Sequence, residues 1–188
     1  MKIVTLLLAA LSLSFAVAAP AQAQDNKKIL VAYFSHTETT EKVAMEIHKK
    51  VGGDIFKIET VQSYPIEHRE TVDLAEKERD SNARPALKAK VENIESYDVI
   101  FLGYPIWWYT LPMPLFTFLE SYDLSGKTII PFSTHGGSRM SGTEDVVRKL
   151  HPEAKVLDGF AVSRNVIRNN PETGAVKPVA DWLAKLKY

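Results

Sequence analysis

The chain has 188 residues, and its 23 lysines and arginines balance 23 aspartates and glutamates, for a formal net charge of zero. So even a balance provides no electrostatic footprint for nucleic acid or an anionic membrane. With no cysteine present, thiol catalysis, cysteine-based zinc sites, redox dithiols and a lipoprotein anchor are excluded.

In chain order, Lys2 is followed by an apolar run over residues 3–19 that contains only small hydroxyl interruptions, and then by Ala21-Gln22-Ala23. This pattern predicts a secretory signal peptide over residues 1–23 and a mature chain that begins at Gln24. The run is short for a transmembrane anchor. No twin-arginine pair is present, so export ahead of folding is expected, with any cofactor loaded afterwards in the periplasm or outside the cell. Residues 24–188 carry 22 basic and 23 acidic side chains. They make one ordinary domain, large enough for a substantial core, with no membrane segment expected in the mature form.

Residues 28–34 are too continuously apolar for a strand with one wet face, as expected of a central strand covered by helices on both sides. Residues 54–59, 97–103 and 127–133 have the same character, and residues 155–162 form a weaker fifth. Helical patterns lie between them at 40–51, 67–79, 115–121, 143–150 and 176–186. The 67–79 segment is charged at most positions and reads as a solvated helix face. The last helix is amphipathic through Val176, Val179, Trp182, Leu183 and Leu186, which places Trp182 in the core. Alternating strands and helices predict an α/β fold with a doubly wound parallel sheet.

Ligands of such sheets bind beyond the carboxyl ends of the strands, which singles out the loops after strands one, three and four. The first, Ser35-His36-Thr37-Glu38-Thr39-Thr40, places four hydroxyls at the start of a helix, where free N–H groups and the positive dipole end suit a phosphate. The lysine of a nucleotide-triphosphate loop is absent. A simple helix cap with a turn accounts for the same hydroxyls. The second loop runs from Gly103 through Pro105, Ile106, Trp107 and Trp108 to Pro114. Two adjacent tryptophans on an extended segment cannot both enter one core. One ring is therefore expected at the crevice, stacked on a flat heteroaromatic ligand or serving as a protein contact. The third loop, Thr134-His135-Gly136-Gly137-Ser138, has paired glycines that allow main chain to approach a ligand closely, or form a plain connection.

Together, the segments "YDVIFLGYPIWW" and "GKTIIPFSTHGGS" and the pattern S-x-T-x-x-T resemble the flavodoxin-like family, in particular its short FMN-binding members, over nearly all of residues 28–186. The resemblance implies a five-stranded sheet in the order 2-1-3-4-5 and FMN as cofactor. By this likeness Ser35, Thr37, Thr39 and Thr40, in the loop that also holds His36 and Glu38, surround the phosphate. Pro105, Ile106, Trp107 and Trp108 line the isoalloxazine, and Thr134, His135, Gly136, Gly137 and Ser138 border its other edge. Glu38 stands where the family commonly has glycine; its carboxylate is expected to turn outward toward Lys42, with strain if its φ is positive. The near-neutral charge implies weak long-range steering to a basic redox partner.

The implied function is an FMN-binding redox protein, as an electron carrier or an FMN-dependent oxidoreductase. The alternatives are an NAD(P)H-dependent quinone reductase and a non-redox protein that keeps the fold without flavin. The partner is an unidentified redox protein or small-molecule acceptor, and the protein a monomer or homodimer. No catalytic residue and no metal ligand is assigned. His135, with an ordinary imidazole pKa near 6.5, is expected to make the flavin potential depend on pH between roughly 5 and 8.

Overall fold

The computed structural model describes residues 27–188; the expected signal peptide lies outside the described residues. The elements are β1 (Ile29–Phe34), α1 (Thr39–Val51), β2 (Asp54–Ile58), α2 (His68–Asp80), β3 (Val99–Pro105) and α3 (Met113–Glu120). They continue with β4 (Thr128–His135), α4 (Thr143–Leu150), β5 (Lys155–Val156), β6 (Phe160–Ser163), α5 (Arg164–Asn169) and α6 (Val176–Leu183). Every strand pair is parallel, in the order β2-β1-β3-β4-β5, with β6 also on β4. Among the described residues no helix is long and apolar enough to cross a membrane.

Both sheet faces are covered, which is why the strands read as unbroken apolar runs. Successive side chains point to opposite faces. Leu30, Ala32, Phe34, Ile100, Leu102 and Ile129 thus face one core with Leu115, Phe118 and Leu119 of α3 and Val147 of α4. Val31, Tyr33, Phe101, Ile130 and Phe132 face the other, with Val43, Ala44 and Ile47 of α1, Ile167 of α5 and Val179 of α6. Truncating any one of the fully buried Phe101, Phe118 or Phe132 to alanine costs about 3–5 kcal/mol. At Gly103 a Cβ would lie 2.1 Å from the Phe132 ring, so only glycine lets that ring cross β3. Trp182 is partly buried and packs against the core, stacked on Phe160 at 4.8 Å and edge-on to Phe101 at 5.9 Å.

Two expectations change. The fifth strand is interrupted: β5 pairs with Thr128 and Ile129 and β6 with residues from Phe132 to His135. The ladder reaches the Leu157 N–H, which donates to the Ile129 carbonyl at 2.9 Å, but the Gly159 N–H is diverted to the Glu144 carboxylate at 3.3 Å. Asp158 and Gly159 are poor strand formers. The second change is α5, a short helix directly after β6. Its Ser163 cap accepts the Asn165 N–H at 3.3 Å, a start signal that lies at the end of the weakest strand pattern.

Candidate functional site

β1 is the strand from which the chain leaves in both directions, toward β2 on one side and β3 on the other. The divergence opens a crevice at the carboxyl edge, and the loops after β1, β3 and β4 meet there.

In the first loop Ser35 Oγ accepts the Glu41 N–H at 3.2 Å, and the Glu38 carbonyl accepts the Lys42 N–H at 3.0 Å. Among the described residues the amides of Thr39 and Thr40, in the first turn of α1, donate to no protein acceptor. The Thr37 and Thr39 hydroxyls are 3.3 Å apart. Thr40 serves the fold as well, because its buried hydroxyl meets that of Thr134 at 2.8 Å and ties α1 to the end of β4. Glu38 adopts the left-handed conformation, φ 57° and ψ −7°, that its glycine-like position requires. Its backbone turns the loop. No ion pair joins it to Lys42 among the described residues, contrary to that expectation.

The second loop folds back as a two-residue hairpin. Trp107 and Thr110 exchange N–H···O bonds at 3.2 and 2.9 Å, with Trp108 (φ 47°) and Tyr109 (φ 61°) between them. Such turns normally use asparagine and glycine, because left-handed backbone costs an ordinary residue about 1–2 kcal/mol. The consequence is that the two indoles diverge. Trp107 packs edge-on against Phe34, His36 and Tyr64, at centroid distances of 5.4, 6.0 and 5.0 Å. Trp108 swings onto α2, where its Nε1–H donates to the Val72 carbonyl at 3.0 Å and the Arg79 guanidinium covers its ring at 4.8 Å.

In the third loop Gly137 takes φ 150°, a conformation side-chain-bearing residues rarely adopt. Its N–H donates to His135 Nδ1 at 3.0 Å, which fixes the imidazole as its Nε2–H tautomer. Burial, aided by the Arg139 charge, lowers the His135 pKa below the usual histidine value. His36 is lowered as well, chiefly by burial and in smaller part by His68. The Thr71 hydroxyl donates to the Pro65 carbonyl at 2.7 Å and so accepts from His36 Nε2 at 3.3 Å.

These loops enclose one cavity of about 540 Å³, within the range of roughly 300–1,000 Å³ typical of small-molecule sites. Ser35, His36, Thr37, Thr39 and Thr40 line it, as do Pro105, Ile106, Trp107 and Trp108, and Thr134, His135, Gly136, Gly137 and Ser138. Glu38 alone of the expected set is outside the wall. Further contributions come from outside the residues the sequence pointed to. α2 supplies His68, Thr71, Val72 and Ala75, the hairpin tip supplies Tyr109, and α5 supplies Arg164 and Arg168. The reading of 67–79 as a wholly solvated face is corrected: Thr71 and Ala75 are only 5% and 7% exposed. Their spacing of four is the signal for a buried stripe.

Free amides and hydroxyls at a helix start, set against an indole wall and a glycine loop, suit the phosphate and planar ring of a flavin mononucleotide. The fold and cavity therefore define a doubly wound α/β protein of the mononucleotide-binding kind, with its site at the topological switch point. Residues 28–177 match the family model described as Flavodoxin, and the chain belongs to the flavodoxin family. Among solved structures it is similar to a "putative flavoprotein" from Bacteroides eggerthii, with 39% identity, a TM-score of 0.66, and coverage of 80% of this chain and 99% of that one. A second "putative flavoprotein", from Bacteroides uniformis, shares 32% identity with a TM-score of 0.72 and coverage of 85% and 99%. A Lactobacillus acidophilus flavoprotein in complex with FMN shares the fold, at 20% identity and a TM-score of 0.62 over 76% of this chain and 97% of that one. No curated protein matches the chain.

Proposed function

We propose that this protein binds FMN in the cavity and serves as an FMN-dependent redox protein. The observation that carries the reading is the convergence on one cavity of free helix-start amides and hydroxyls, an aromatic wall at Trp107 and Trp108, and the glycine loop at Gly136 and Gly137. Family membership and the FMN complex of the Lactobacillus protein support it.

When bound, FMN supplies one- and two-electron redox chemistry, and the chain binds it, orients it and sets its environment. Ser35, Thr37 and Thr39, with the amides that open α1, hold the phosphate. The Trp107 and Trp108 side of the cavity excludes water from the ring, and the 134–138 loop faces its polar edge. Neutral His135 offers Nε2–H as a donor there.

The electron donor and acceptor are an unidentified redox protein or small molecule. The α2 wall of His68, Thr71, Val72 and Ala75 extends the cavity beyond the three loops. It favours a small acceptor beside the flavin, and with it a second reading, an NAD(P)H-dependent quinone reductase. We further propose that the protein is exported and that residues 1–23 are removed, on the strength of the apolar run and Ala21-Gln22-Ala23. Amino-terminal sequencing of protein from the periplasm or medium is expected to begin at Gln24.

Calorimetric titration of the apoprotein with FMN is the first test, and one site per chain is expected. Absence of heat and of flavin absorbance in the purified protein removes the reading. Anaerobic mixing of the FMN-loaded protein with NADH or NADPH then separates the redox classes: prompt bleaching marks a reductase, and a stable yellow colour marks a carrier that needs a protein donor.

A further inference from the structure

We infer that Arg164 and Arg168 clamp the phosphate of the bound mononucleotide, giving this chain a cationic phosphate site in place of one built only of hydroxyls and amides. The inference rests on the FMN reading and adds residues from the far edge of the sheet to it.

Ser163 pairs in register with His135, so Arg164 begins α5 beside Gly136. A Cβ on Gly136 would lie 3.3 Å from the Arg164 guanidinium carbon and 3.4 Å from Nη2, so the guanidinium lies across a position kept free of side chain. Two residues earlier, Thr134 is bonded to Thr40 in the first turn of α1 at 2.8 Å. The start of α5, the end of β4 and the start of α1 are thereby neighbours. Arg168 follows Arg164 by four residues in α5, on the same helix face. Both arginines line the cavity that Thr37 and Thr39 line.

Among the described residues neither arginine forms an ion pair, and Arg69 and Arg139 form none either, whereas Arg79, Arg84 and Arg148 do. Two unpaired guanidinium groups and the positive end of α1 thus converge on one cavity. Their mutual repulsion is relieved when an anion sits among them. A phosphate dianion is the anion the FMN reading places there, and arginine can meet its oxygens with two parallel N–H donors.

Phosphate recognition is isolated by comparing FMN with riboflavin, which lacks only that group. The apoprotein beginning at Gln24 and its variants Arg164→Gln, Arg168→Gln, the double variant and Arg164→Lys are titrated with both flavins at low and raised salt. The wild type is expected to prefer FMN, with an affinity that falls as salt rises. In the double variant FMN affinity is expected to drop roughly 10- to 100-fold, riboflavin to change less than about twofold, and the salt dependence to flatten. Arg164→Lys is expected to retain an intermediate preference. Both arginines are exposed, and unchanged circular dichroism melts check that the fold persists. An FMN affinity in the double variant within about twofold of wild type overturns the clamp while leaving the FMN reading intact. An equal loss for both flavins also overturns it. A wild type that binds neither flavin removes the FMN reading itself, and the clamp with it.

Discussion

Glu38 holds left-handed backbone at the cap of α1, φ 57°, where a side chain is disfavoured. The sequence pattern signals this position through its likeness to a glycine-bearing loop, and the dihedral agrees. Comparing Glu38→Gly with Glu38→Ala separates backbone from charge, since both remove the carboxylate and only glycine relieves the turn. The glycine variant is expected to be the more stable by about 0.5–1 kcal/mol, the relief of strain less glycine's extra unfolded-state entropy. Urea midpoints measure it, and an alanine variant of equal or greater stability contradicts the conformation. Trp108 and Tyr109 share the left-handed geometry, yet nothing in "WWYT" announces a turn that usually takes asparagine and glycine. The hairpin exists because Trp107 is held among Phe34, His36 and Tyr64 while Trp108 is held on α2.

Between elements, the most consequential polar contact at the site is the buried pair of Thr40 on α1 and Thr134 on β4, 2.8 Å apart. A single Thr40→Val or Thr134→Val change leaves one hydroxyl buried without a partner, and each is expected to cost about 1–3 kcal/mol. The double valine variant is expected to recover most of that loss, because the apolar pair leaves nothing unsatisfied. Strictly additive losses in denaturant melts would show that the two hydroxyls do not depend on each other. Both threonines are legible in the sequence as site residues, in separate loops, with no sign that one fastens the other. α5 is hidden for a related reason: the loops that mark a site in such a sheet follow strands one, three and four, while the arginines come from the end of the interrupted fifth.

For the molecule as a whole, three histidines have pKa values lowered by burial, namely His36, His135 and His151. Among the described residues His151 Nε2 is buried without a hydrogen-bond partner, and protonating His135 Nδ1 would cost the Gly137 N–H bond. Because the folded pKa of each lies below an unfolded value near 6.5, the unfolded chain takes up protons first as the solution is acidified. Their contribution to stability is therefore complete above about pH 7 and declines as pH falls from there toward the depressed folded values. Glu78, raised by burial, contributes with the opposite sign in the carboxylate range. The variant His36→Asn/His135→Asn/His151→Asn is expected to show a flatter dependence of the urea midpoint between about pH 7 and 5.5; a slope equal to wild type would remove this account. The same depression moves any His135 effect on the flavin potential to the acidic end of the window expected from its ordinary pKa.

From one-dimensional information alone came the parallel α/β class, the strand order through family resemblance, the three loops and most of the cavity wall at the strand ends. These were legible because a doubly covered sheet forces continuous apolar strands, and because a phosphate-type loop is a local feature of hydroxyls ahead of a helix. Tertiary packing alone decided where the two tryptophans of one loop point, that the Thr71 and Ala75 stripe of α2 is turned to the cavity, and that Arg164 and Arg168 reach it. Those outcomes depend on contacts between residues distant in the chain, and no spacing along it encodes which side chain will find which neighbour once the sheet has closed.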